Sequence, residues 1–179
     1  MSEFYTLKIA GLERQLEKFP VSDKLDIAAF IIFGDVELTI KASEELLKKL
    51  PEFDVILTPE AKSIPIAYEM SRQSGKPYII ARKGVKDYMR NPLSVSVNSI
   101  TTQNEQHLYL GETEVKMIKG KKVLIVDDVI STGESLTAVR NLVEAAGAIE
   151  AASCAFLAEG DAADRDDIIF LVKLPLFFK

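Results

Sequence analysis

Residues 53–83, FDVILTPEAKSIPIAYEMSRQSGKPYIIARK, constrain the fold more than any other stretch. FDVILT reads as a buried strand and TPEAKS as a loop. The stretch from Ile64 to Arg72 reads as a helix with Ile66, Ala67 and Met70 on its apolar side; Gly75 ends it, and PYIIAR is the next strand. A helix between two strands returns the chain to the same end of the sheet, so the strands must run parallel. KKVLIVDD followed by ESLTAVRNLVEAAG repeats the logic, with Leu136, Val139, Leu142 and Val143 inward and Gly147 closing the helix. IEAASCAFLAEG and DIIFLVKL complete the sheet.

The flanking segments read differently. GLERQLEKF places Leu12, Leu16 and Phe19 on one helical face. LDIAAFIIFGD is a short apolar run broken by Gly34 and Asp35. SEELLKKL reads as a helix end with Leu46, Leu47 and Leu50 inward, lysines suiting the dipole, and Pro51 as the stop. Between Gly84 and Gly120, LSVSVNSIT, HLYLG and EVKMI alternate apolar and polar residues as antiparallel or edge strands do, around the polar piece TTQNEQ. The expectation is a three-layer α/β domain with a mostly parallel central sheet and an inserted antiparallel flap.

A chain of 179 residues with 47% hydrophobic residues suits one domain with a sizeable core. Its net charge of -5, with no long Lys/Arg block, argues against nucleic acid as a partner. Cys154 is the single cysteine, so there is no internal disulfide and no cysteine metal spacing; it reads as a small core residue. The N-terminus lacks a basic segment followed by an apolar one, and no apolar run reaches the ~18 residues of a membrane span. A soluble cytoplasmic protein is expected.

Asp127 and Asp128 stand side by side at the end of a greasy run, followed by Val129, Ile130 and the loop Ser131, Thr132, Gly133, Glu134, Ser135. In parallel sheets ligands bind beyond the carboxyl ends of strands. Amides at a helix N-terminus favour phosphate, hydroxyls add donors, and a glycine permits close approach. The carboxylates could hold Mg²⁺, accept hydrogen bonds from a sugar diol, or both; paired acids also occur as helix caps and solvated turns. A ligand carrying both a phosphate and a vicinal diol fits the stretch.

Four apolar residues, two acids, two apolar residues and then Ser-Thr-Gly resemble the phosphoribosyl diphosphate (PRPP) signature of type I phosphoribosyltransferases, and the resemblance runs from about Phe19 to Val172. It lies with the purine branch, whose members act on adenine, xanthine or hypoxanthine/guanine. It implies the type I fold as one domain over residues 1–179, with a hood over about 19–42, a flexible flap over about 84–120 and the PRPP motif at 123–135. Glu60, Ala61, Lys62 and Ser63, with Arg82, Lys83 and Lys86, would hold the diphosphate. Asp127 and Asp128 would contact the ribose hydroxyls, directly or beside a PRPP-bound Mg²⁺, and Ser131 to Ser135 would wrap the 5′-phosphate. Phe33 would be a candidate to stack on the base, with a place in the core as the alternative. Diphosphate release needs cations that tighten as the bond breaks, and an oxocarbenium-like transition state needs water excluded by the flap SVNSITTQNEQHLYL.

Two departures stand out. Glu134 replaces the second glycine common in the phosphate loop; at a helix start its carboxylate can turn to solvent and suit the dipole. Thr102 stands where adenine enzymes carry a proton-handling glutamate, with Glu105 nearby and His107 at the flap edge. The resemblance implies transfer of the 5-phosphoribosyl group to a purine, adenine first, with xanthine or hypoxanthine/guanine close behind. It also implies purine salvage, Mg²⁺ and a homodimer. The rival expectation is a PRPP-binding regulator without catalysis. A signalling receiver domain leaves the hydroxyl-rich loop unexplained.

Overall fold

The structure is a computed structural model, and it describes residues 3–97 and 106–179. At its centre lies a five-stranded sheet of β4 (Val55–Pro59), β5 (Tyr78–Ala81), β8 (Lys122–Ile130), β9 (Ile149–Glu159) and β10 (Ile169–Leu174). The order is β10-β9-β8-β4-β5, and every pairing is parallel. Helix α2 (Ile64–Ser74) joins β4 to β5, and α4 (Glu134–Ala145) joins β8 to β9. The two crossovers therefore leave in opposite directions along the sheet, which makes the β4/β8 boundary a switch point.

Both faces of the sheet are covered, so the central strands are apolar on both sides. Leu124, Val126, Cys154 and Phe156 pack with α1 (Val36–Leu47) and α2; Val123, Ile125, Ala155 and Ala158 pack with α4. Cys154 is the buried core residue its neighbours suggest, and burial pushes its thiol pKa up. This is the expected three-layer α/β arrangement, with added antiparallel sheets.

The N-terminal segment departs from expectation. GLERQLEKF is not a helix: it belongs to β2 (Leu12–Ser22), which pairs antiparallel with β1 (Phe4–Ile9). Ile9 pairs with Leu12, leaving Ala10 (φ +50°) and Gly11 (φ +75°) as a two-residue turn. Positive φ at both turn positions matches the right-handed strand twist, and glycine takes it at no steric cost. Leu7, Ile9 and Leu16 are then buried against the core containing α1 and α2. β3 (Leu25–Ala28) and the C-terminal β11 (Phe177–Phe178) extend this sheet in the order β1-β2-β3-β11.

α1 begins where Asp35 accepts a hydrogen bond from the Leu38 N–H at 3.1 Å, an N-cap. It ends at Leu47, so Lys48 and Lys49 lie just beyond the last turn. β6 (Leu93–Val97) and β7 (Gln106–Leu110) form the expected antiparallel pair, Leu93 opposite Leu110 and Val95 opposite Leu108. Most of TTQNEQ, including Thr102 and Glu105, lies outside the described residues. EVKMI is not a strand but part of α3 (Glu112–Ile118). Glu112 and Glu114 sit in its first turn, where they suit the dipole, and Glu112 pairs with Lys116 one turn on.

Candidate active site

At the switch point β4 and β8 pair only as far as Leu57 opposite Ile125. Beyond that the strands part, and the Thr58 hydroxyl donates to the Val126 carbonyl at 2.9 Å. A cleft of about 400 Å³ opens there, lined by Glu60, Ala61, Lys62, Ser63, Lys83, Asp127, Asp128, Ser131, Thr132, Gly133 and Ser135, among others. Residues from three separate stretches of sequence thus meet in one cavity. The acids lie within β8 rather than at its end, since the strand continues to Ile130 in register with Ala158 of β9.

The pair is compensated by little. Asp127 Oδ1 accepts from the Asp128 N–H at 2.9 Å. Asp128 is 5% exposed, and its Oδ2 is buried with no hydrogen-bond donor of its own. Its nearest cation is Lys62 Nζ at 3.8 Å, on a side chain that is mostly exposed. Burial, then the adjacent Asp128 charge, push the Asp127 carboxyl up to about 7. Two crowded carboxylates holding an unsatisfied oxygen are arranged to receive donors or a cation from outside.

Each side of the cleft ends in a helix N-terminus. The 60–63 loop, with a cis Glu60–Ala61 peptide, leads into α2; Ser131–Gly133 lead into α4. The first amides of both helices carry no helical acceptor and bear partial positive charge. Ser131, Thr132 and Ser135 expose hydroxyls beside the second of these ends. The cleft therefore offers two helix ends suited to anionic groups, with a carboxylate pair alongside.

Glu60 and Lys83, on the wall, are tied to each other and to Arg82 behind it. Glu60 accepts from the Lys83 N–H at 3.1 Å and from Arg82 Nη1 at 3.3 Å, and the first of these bonds does most to hold its pKa below the usual carboxylate range. Arg82, Lys86 and Glu134 are not among the lining residues. Phe33 is 54% exposed, so it is no core residue, and it too is absent from the cleft wall. Thr58 escaped the sequence reading, because it looks like any strand threonine. Among the described residues no group of three or more His, Cys, Asp or Glu side chains could hold a metal, and no helix is long and apolar enough to cross a membrane.

The structure is thus a doubly wound α/β domain with a cleft at its switch point, where such folds bind their ligands. The chain belongs to the phosphoribosyltransferase family: the phosphoribosyl transferase domain matches residues 35–175. The hypoxanthine/guanine phosphoribosyltransferase of Methanocella arvoryzae is 36% identical over 129 residues, covering 72% of this chain and 61% of that protein. That of Methanocaldococcus vulcanius is 42% identical over 93 residues, 52% of this chain and 47% of that one. The chain thus spans less than two thirds of the length of these relatives. Adenine phosphoribosyltransferase from Thermoanaerobacter pseudethanolicus superposes with a TM-score of 0.74 at 24% identity, over 89% of this chain and 95% of that one. The Saccharomyces cerevisiae enzyme, solved with an imino-altritol bisphosphate and adenine, gives 0.69 at 19% identity, over 88% and 92%. At such identities the likeness is one of fold, and it is the type I phosphoribosyltransferase fold.

Proposed function

We propose that the chain transfers the 5-phosphoribosyl group of PRPP to a purine base, giving a nucleoside 5′-monophosphate and diphosphate. The observation that carries this is the cleft itself: two helix N-termini with the Asp127–Asp128 pair alongside, in a family member. PRPP carries phosphate at both ends of a ribose diol, and the cleft offers a complement to each part. The 5′-phosphate takes the Ser131–Ser135 loop and the end of α4. The diphosphate takes the Ala61–Ser63 backbone with Lys62 and Lys83, and Arg82 and Lys86 stand behind in the same cationic group. The ribose hydroxyls donate to Asp127 and Asp128.

In the transfer the C1–oxygen bond to diphosphate breaks, and the diphosphate leaves with the electron pair. A purine ring nitrogen forms the new bond to C1 and gives up its proton to the departing diphosphate or to solvent. The chain's part is positioning and charge: lysines hold the leaving group as its charge grows, and the carboxylates fix the ribose. The residues fit a magnesium ion that arrives on PRPP. Asp128 Oδ2 is a buried oxygen awaiting a partner, and the described residues offer no cage for a bare ion. When bound, the ion neutralises diphosphate charge.

The base is an oxopurine first in this proposal, ahead of the adenine that the overall resemblance put first. Two observations support the change: the relatives named for hypoxanthine/guanine, and Thr102 in place of the adenine enzymes' glutamate. The hood, with Phe33 over the base, the homodimer and a role in purine salvage belong to the same proposal. The experiment is diphosphate release from PRPP and Mg²⁺ with hypoxanthine, guanine, xanthine and adenine offered separately. Release with hypoxanthine or guanine supports the reading. No release with any base from a protein that binds PRPP turns it to a non-catalytic PRPP sensor.

A further inference from the structure

Gly133 has φ +83° and is buried although it carries no side chain. A Cβ built there would collide with Nη1 of Arg165, and that guanidinium is the only described group beyond the local chain within 4 Å of the point. Arg165 follows the 3₁₀ turn Gly160–Asp164, after β9. A cation from a different part of the chain therefore lies directly on the phosphate loop.

Its orientation is fixed. Arg165 Nε and Nη2 donate to Asp167 Oδ1 and Oδ2 at 2.8 and 2.7 Å, a two-point clasp that leaves Nη1 facing Gly133. Asp167 is held in turn by Arg140 Nη1 at 2.6 Å and, through its carbonyl, by Arg140 Nη2 at 3.0 Å. Arg140 belongs to α4, the helix that the phosphate loop opens, and its Nε donates to Glu150 of β9 at 3.0 Å. The two arginines hold Asp167 well below the usual carboxylate range. The network ties α4, β9 and residues 165–167 together, and it sets the Arg165 guanidinium against the loop. The loop's own side chains are hydroxyls and the Glu134 carboxylate, with no cation. A phosphate seated there is met by the amides that open α4, and the Arg165 guanidinium against Gly133 adds a fixed cation beside them.

We infer that Arg165 is a positioning residue of the phosphate loop: its guanidinium, fixed by Asp167 and packed against Gly133, holds the loop in its anion-accepting shape. This rests on the PRPP reading above. Gly133 is then favoured by its left-handed backbone, and it leaves room for the guanidinium where it stands.

The test is PRPP binding by calorimetry together with steady-state kinetics, on the wild type, R165A and R165K. R165A should raise the apparent KM for PRPP about tenfold, leaving kcat within about twofold and the KM for the base unchanged, as expected when the ground-state shape of the phosphate loop is lost. R165K keeps the charge but not the two-point clasp and should fall between. A residue that merely supported the fold would lower kcat and thermal stability without this split. R165A with wild-type PRPP affinity overturns the inference, as does an equal loss of kcat that lysine does not restore. If R165A does not fold, R165K carries the test, and an unchanged PRPP KM overturns the inference. A wild-type chain that takes up no PRPP overturns the substrate reading itself, which separates the two failures.

Discussion

The Thr58 hydroxyl donates to the main-chain carbonyl of Val126 at 2.9 Å, one residue beyond the last β4–β8 pair. The same oxygen lies 2.7 Å from Ser63 Oγ, whose own hydroxyl donates to the Pro59 carbonyl at 3.2 Å. One buried threonine thus closes the sheet where it splits and props the loop facing Asp127 and Asp128.

Thr58→Val keeps the shape and removes the hydroxyl. It leaves the Val126 carbonyl buried without its donor, at a cost of about 1–3 kcal/mol. Calorimetry should show a lower Tm, and Thr58→Ser should restore most of it. An unchanged Tm in Thr58→Val would show that the bond contributes nothing.

Asp128→Asn removes one of two crowded charges and keeps the side-chain volume. Turnover should fall by about a hundredfold, the scale of losing one well-placed polar group at a reacting centre. Tm should stay level or rise, because the repulsion with Asp127 is relieved. A folded variant with wild-type turnover would remove this carboxylate from the site.

Thr132→Ala takes one exposed hydroxyl from the phosphate loop. The apparent KM for PRPP should rise by about three- to tenfold, the scale of one neutral hydrogen bond to a charged group, with a smaller effect on kcat. PRPP titration checks it; unaltered affinity would count against placing the 5′-phosphate here.

The raised Asp127 pKa makes a prediction about the free protein. Its folded pKa of about 7 lies above the unfolded carboxylate value, so between those values the folded state binds more protons. Stability from this group is present at low pH and lost as pH rises from about 4 to about 7. Asp35, Glu60, Glu69 and Asp167 shift downward and act oppositely, losing stability as pH falls through the acid range. The difference between wild type and Asp127→Asn isolates the first effect. Without Mg²⁺ or PRPP, the Tm of wild type should drop relative to the variant as pH rises from about 4.5 to 7.5; parallel curves would refute the shift.

The sequence alone determined β4–α2–β5 and β8–α4–β9, because their signals are local: buried runs of strand length, amphipathic helices and turn residues between them. It also determined the order of the acids and of the hydroxyls that follow β8, and hence the chemistry the cleft offers. It did not determine the N-terminal hairpin. Leu12, Leu16 and Phe19 satisfy a helical spacing, and only pairing with β1 across the Ala10–Gly11 turn selects the extended form. EVKMI alternates as a strand does, yet forms a helix supported by the Glu112–Lys116 pair and anchored by Ile118 in the core. Tertiary structure alone decided which charges meet. Arg82 turns to Glu60, Lys62 approaches Asp128, and Arg165 lies on Gly133, because each contact joins elements brought together by the parallel crossovers. Periodicity specifies which face of an element is buried; it carries no information about which distant side chain will cover a given backbone atom.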